Sequence, residues 1–212
     1  MGTLAYGSPA KRALIFGSFN PVTNAHISMG ITAKKALGPD TVVTYIPASD
    51  TYIKSWKKYE DGSILSAGAR ITLLEDAVTS YGFEVSTIET DGVTDGKTYN
   101  TVEYFGFDDC VLCLGMDNIL QIKKWYNWQN LLARGHFLLF WRNMNRVRQR
   151  EADSILGQMT HPYTFACLPK GRADISSTQV RDCYRNRDFK KLKSLVPENV
   201  FQYLEVNDNV YI

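Results

Sequence analysis

The chain has 212 residues, with 24 Lys+Arg against 22 Asp+Glu for a net charge of +2, and is 44% apolar and 12% aromatic. That balance supplies a sizeable core and excludes disordered and fibrous classes. So mild a charge argues against general nucleic-acid binding but leaves small anionic ligands open. The longest apolar runs, such as 137–141, fall far short of the roughly 20 residues of a membrane span, so no membrane partner is expected.

Residues 1–11 read as an N-terminal extension. They lack the long apolar core of a secretory signal, and Tyr6 stands where myristoylation needs Ser or Thr. Four cysteines are too sparse for a disulfide scaffold. Cys110 and Cys113 have C-x-x-C spacing inside an apolar run with no second Cys/His set nearby, so buried strand thiols are expected rather than zinc. A reducing cytoplasm fits this usage.

Short runs of β-branched and aromatic residues alternate with helical patterns along the chain. This predicts an α/β fold of βα units on a mostly parallel sheet, as one domain over 1–212. Strands are expected at 13–16, 41–46, 83–88, 110–114, 137–140 and 164–168. Between them lie segments 25–37, 66–80, 100–105, a Trp-rich 125–133 and an Arg-rich 146–159. The C-terminal third closes with 177–184, 189–195 and 198–204.

The first helix is the best specified. Thr23 or Asn24 can cap it, Ala25, Met29, Ala33 and Ala36 repeat at helical spacing, and Gly38-Pro39 stops it. The turn ahead of it lies at the carboxyl edge of the sheet, where ligands bind in open parallel sheets. That turn reads Gly17-Ser18-Phe19-Asn20-Pro21-Val22-Thr23-Asn24-Ala25-His26. Gly17 allows close backbone approach, Pro21 stiffens the turn, and Thr23 and His26 face one side of the helix mouth. A helix N-terminus suits phosphate, although a capped turn with a structural His reads equally well in isolation.

A second stretch of the same kind runs from Gly171 to Arg181 and includes Ser176-Ser177-Thr178. Arg181 stands four residues after Ser177 and three after Thr178, so its guanidinium can reach a phosphate held at that helix start. Alone, Ser-Ser-Thr is an ordinary N-cap.

Taken together, Gly17-Ser-Phe-Asn-Pro-x-Thr-x-x-His26 and Ile175-Ser-Ser-Thr-x-x-Arg181 resemble the paired signature of the T/H-x-x-H nucleotidyltransferases. Three further segments narrow the resemblance to the nicotinate or nicotinamide mononucleotide adenylyltransferases. These are Gly115-Met116-Asp117 followed by Trp125-Tyr126, the segment 47–54 with Pro47, Asp50, Tyr52 and Lys54, and Thr98-Tyr99-Asn100-Thr101. The likeness covers about residues 11 to 185. Thr23 where His is common, Ala25, and Phe140-Trp141-Arg142 depart from the family's pattern.

The resemblance implies a single Rossmann-like domain with helices on both faces and a helical C-terminal segment. It implies transfer of AMP from ATP to the mononucleotide with release of pyrophosphate, and Mg²⁺ bound through ATP phosphates rather than at a protein metal site. His26 and Arg181 are the implied catalytic residues. ATP falls to Gly17, Ser18, Phe19, Thr23 and His26, with Gly115 and Asp117 near the adenosine ribose, and Ser176, Thr178 and Arg181 at the leaving phosphates. Lys54, Thr98, Tyr99 and Trp125 are implied for the mononucleotide, Trp125 against the pyridine ring.

Plainer readings stand beside these. Trp125 and Trp128 suit a core, Lys54, Lys57 and Lys58 a solvated loop, and Asp117 a helix cap. Arg146, Arg148 and Arg150 suit an exposed helix face, Arg142 follows a strand end, and His136 and His161 read as structural. A phosphopantetheine adenylyltransferase, or an inactive nucleotide-binding regulatory module, is the alternative function. The choice between nicotinate and nicotinamide stays open, and a homo-oligomer is compatible with the sequence.

Overall fold

The computed structural model describes residues 12–56, 63–141, 145–207 and 210–211. The N-terminal extension, Lys57, Lys58 and Arg142 lie outside the described residues. Six strands form one sheet in the order β3-β2-β1-β4-β5-β6, and every neighbouring pair is parallel. The strands are β1 (Arg12–Gly17), β2 (Val42–Pro47), β3 (Glu84–Val85), β4 (Cys110–Gly115), β5 (Phe137–Phe140) and β6 (Tyr163–Ala166). The order reverses direction at β1, between β2 and β4, which opens a crevice beyond the carboxyl ends of those strands.

Successive strand residues feed two cores, one on each face. Ala13, Ile15, Val43, Tyr45, Val111 and Cys113 point one way, while Leu14, Ile46, Cys110, Leu112 and Leu114 point the other. A parallel sheet covered on both faces needs such unbroken apolar runs, which is why Cys110 and Cys113 are buried strand thiols. Burial pushes both thiols above their usual range, that of Cys110 to about 12.

Helices α1 (Asn24–Leu37) and α3 (Ala67–Val78) cover the first core with α8 (Ser177–Arg185), α9 (Phe189–Leu195) and α10 (Glu198–Val206). Helices α4 (Thr98–Phe105), α5 (Met116–Ile119), α6 (Trp128–Arg134) and α7 (Arg146–Leu156) cover the second. A short α2 (Asp50–Trp56) follows β2. α2 was not expected, since two turns carry too few residues to show periodicity. A helix start at Asp117 was one reading of the sequence, and α5 begins at Met116 with Asp117 in its first turn.

β3 is two residues long where six were expected. At this sheet edge only β2 pairs with it, and after Ser86 donates to the Tyr45 carbonyl the chain turns away toward the crevice. Among the described residues no helix is long and apolar enough to cross a membrane.

Candidate active site

The mouth of α1 is built around Phe19. This residue sits at a positive φ of 45°, and its buried ring meets His26 edge-on at 5.1 Å and Tyr45 at 5.7 Å. A Cβ on Gly17 would lie 2.9 Å from that ring, so glycine there makes room for Phe19. Asn20 clamps the loop: its amide donates to the Ser63 carbonyl at 2.8 Å, and its side-chain oxygen accepts from the Leu65 amide at 3.0 Å.

Thr23 caps α1 in a capping box in which His26 takes the place usually held by Glu or Gln. The Thr23 N–H donates to His26 Nδ1 at 3.0 Å. With Nδ1 accepting, the neutral ring carries its proton on Nε2. The Tyr45 hydroxyl donates to the His26 carbonyl at 2.9 Å, and burial pushes the Tyr45 hydroxyl far above its usual range. The imidazole is thus held by Thr23 and the edge of Phe19, and Tyr45 holds the His26 backbone.

The mouth of α8 is tied to this loop. Ser177 donates to the Pro21 carbonyl at 2.8 Å. Arg181, 7% exposed, donates to the Asn20 carbonyl at 2.8 Å and to the Thr178 hydroxyl at 3.1 Å. Ser176 and Gln179 complete a capping box. His26, Ser176, Thr178 and Arg181 therefore line one cavity of about 270 Å³, together with Phe19 and Asp117.

The crevice continues into two more cavities. A middle one of about 240 Å³ shares Gly17, Ser18 and Asp117 with the first and adds Glu89, Thr98 and Trp125. An outer one of about 440 Å³ shares Thr98 and Trp125 with the middle and adds Lys97, Lys124 and Tyr126. The Lys97 ammonium lies 4.8 Å from the Tyr126 ring centre and 2.6 Å from Asp95. Glu89 is 4% exposed, and burial pushes its carboxyl up to about 7 against the opposing effect of a 2.8 Å hydrogen bond from Thr101. Phosphate-directed helix mouths at one end and aromatic walls at the other suit a nucleotide laid along the crevice.

Residues 14–183 match the cytidylyltransferase-like family. The chain belongs to that family. A probable nicotinate-nucleotide adenylyltransferase from Clostridium botulinum (strain Eklund 17B / Type B) is 27% identical over 204 residues, covering 93% of this chain and 96% of the relative. One of the same name from Legionella pneumophila (strain Paris) is 24% identical over 212 residues, covering 91% and 95%. Among solved structures, Plasmodium falciparum nicotinic acid mononucleotide adenylyltransferase complexed with NaAD shares the fold at a TM-score of 0.72. It is 17% identical, with 95% of this chain and 98% of that chain covered.

In this cytidylyltransferase-like chain, three expected ligand residues are not on the cavity walls. Thr23 is fully buried behind His26, because its backbone and hydroxyl are used in the cap. Tyr99 turns into the second core, where its ring packs on Phe107 and its hydroxyl meets Arg134 and Glu103. Lys54 is exposed on α2 and lines none of the three cavities. Gly17, Ser18 and Gly115 do stand on the walls. Trp125 and Trp128 both pack on the second core, and Trp125 also faces the crevice. Asp117 sits in the first turn of α5 with Gly115 at the cap position. His136 and His161 pair their rings 4.6 Å apart and line none of these cavities.

Sequence reasoning missed Arg70. It is wholly buried and donates to the carbonyls of Leu65, Ser18 and Ala48 and to the Asp50 carboxylate at 2.7 Å. It thereby holds together the loops that follow β1 and β2. Its signal was readable: Arg70 stands three and four residues before Leu73 and Leu74, on the buried stripe of α3.

Proposed function

We propose that this protein transfers the adenylyl group of ATP to nicotinate mononucleotide and releases pyrophosphate, a step in NAD biosynthesis. The observation that carries the reading is that the mouths of α1 and α8, with His26 and Arg181, share one cavity that opens into an aromatic-walled crevice. The names borne by the relatives point to the same reaction.

A phosphate monoester loses its second proton near pH ~6, so the attacking oxygen is largely ready at pH 7 without a general base. The remaining work is to hold two anions in line and to spread the charge of the transferring phosphoryl group. His26 Nε2–H, aimed by the Thr23 N–H on Nδ1 and the Phe19 ring, donates to the α-phosphate as charge develops there. The N–H groups at the start of α8, with Ser176 and Thr178, receive the leaving β- and γ-phosphates. Arg181 adds positive charge while holding the two loops in register. Gly17, Ser18 and Phe19 shape the adenylate side, and Gly115 and Asp117 border the adenosine ribose. Thr98 and Trp125 flank the mononucleotide.

Mg²⁺ would enter on ATP oxygens and neutralise charge on the triphosphate. Asp117 and the hydroxyls of Ser18, Ser176 and Thr178 border the cavity where it would sit. The buried thiols suit a reducing cytoplasm.

Pyrophosphate release from ATP should require an acceptor. It is to be measured with nicotinate mononucleotide, nicotinamide mononucleotide and phosphopantetheine side by side. Release with phosphopantetheine alone overturns the substrate assignment, and no release with any acceptor leaves a binding module. The ratio of kcat/KM for the two pyridine mononucleotides sets the preferred base.

A further inference from the structure

Glu89 has no part in the chemistry described above, yet it is buried in the wall of the crevice, one cavity away from His26 and Arg181. It lines the middle cavity, and Thr101 Oγ1 donates to one carboxyl oxygen at 2.8 Å. Thr101 in turn lies 3.1 Å from the Thr94 hydroxyl, so α4 and the loop before it fix the carboxyl's direction. No other hydrogen bond and no ion pair to Glu89 is made among the described residues. The groups that face it are Tyr52 from α2, Asp95 from the loop before α4, and Asp117 from α5, none of them cationic. Lys97, the nearby cation, is bonded to Asp95. A carboxyl buried among acidic neighbours costs stability, and such local losses mark ligand sites when a ligand supplies the missing donor.

The order of the three cavities says which donor. A mononucleotide is a phosphate, a ribose and a base in sequence. Its phosphate belongs by charge with His26 and Arg181, and its base belongs with the aromatic and cationic wall of Trp125, Tyr126, Lys97 and Lys124. The ribose falls between them, in the cavity that Glu89 lines. Contact with the base is disfavoured, because a carboxylate facing the nicotinate carboxylate would repel it.

We propose that Glu89 positions the mononucleotide by accepting a hydrogen bond from a hydroxyl of its ribose, an inference that rests on the adenylyl-transfer reading above. Steady-state kinetics of the full-length enzyme test it with both mononucleotides. Glu89→Ala should raise KM for each by about tenfold, the loss of one charge-assisted hydrogen bond, while KM for ATP moves less than about twofold. Glu89→Gln keeps an acceptor oxygen and should raise both by only about threefold. Its ratio to wild type in kcat/KM should change between pH 6 and 8, a window in which the substrate phosphate titrates equally in both enzymes.

Three outcomes overturn the proposal with an active wild type. They are equal rises in KM for ATP and mononucleotide, no change in either, or a shift of more than tenfold in the nicotinate-to-nicotinamide ratio. Wild-type enzyme that forms no dinucleotide from either mononucleotide overturns the adenylyl-transfer reading along with it.

Discussion

At the end of the crevice where α1 and α8 meet, Ser177 and Arg181 reach back 156 and 161 residues to the Pro21 and Asn20 carbonyls. At the aromatic-walled end the bonds are local: Lys97 to Asp95, Asn100 to Asp95, and Thr101 to Glu89. The first end is preorganised, with donors already aimed before substrate arrives, so little reorganisation is needed when charge develops. The second is walled by loop segments and aromatic rings, and holds a buried carboxyl whose hydrogen bond comes from Thr101. The end that holds His26 and Arg181 is thus built from long-range bonds, and the aromatic-walled end from short-range ones.

The contrast breaks first at Arg70. Arg70→Met removes the donors to the Leu65, Ser18 and Ala48 carbonyls, while half-exposed Asp50 keeps its bond from Ala67. At about 1–3 kcal/mol for each buried carbonyl, the loss should be about 3–5 kcal/mol, read as a large fall in the denaturant midpoint. A loss under about 1 kcal/mol would mean that the loops hold without it. Next in size, His26→Ala should lower kcat by roughly 10²–10³, about 2.7–4 kcal/mol, with the fold intact by circular dichroism. A loss below about threefold would remove His26 from transition-state stabilisation.

Glu89→Gln separates function from stability at the other end. The folded Glu89 carboxyl titrates at about 7 against an ordinary 4.5, so the fold favours its protonated form. Its stabilising contribution is complete below pH about 4.5 and is lost as pH rises through about 7. Ligand-free Glu89→Gln should therefore be more stable than wild type at pH 8 by about 3 kcal/mol, a rise of several degrees in Tm, and should match it near pH 4.5. Smallest of all, Trp125→Ala should raise KM for the mononucleotide about tenfold with little change for ATP. Equal movement of the two constants would leave Trp125 as packing alone.

Much of this was legible. The α1 start, its Gly-Pro stop and the alternation of strand and helix depend on neighbours within a few residues, and they appear where expected. What was not legible depends on direction. Tyr99 lies in a segment that does border the crevice, but helix α4 rotates it into the second core and leaves Thr98 facing out. Thr23 was expected beside the ligand and instead holds the histidine. Glu89 lies one residue past the strand expected at 83–88, and in the structure β3 ends at Val85 and Glu89 lines the crevice.

The amino-acid order by itself determined the βα alternation, the two capped helix starts and the residue types offered at each, because propensity, capping and periodicity act over one or two turns of chain. Only the tertiary structure decided that the two starts share a cavity, that Arg70 and Arg181 act as ties between loops, and that one glutamate is buried in the crevice. Those outcomes rest on hydrogen bonds and burial between segments as much as 161 residues apart, and no local pattern carries that information.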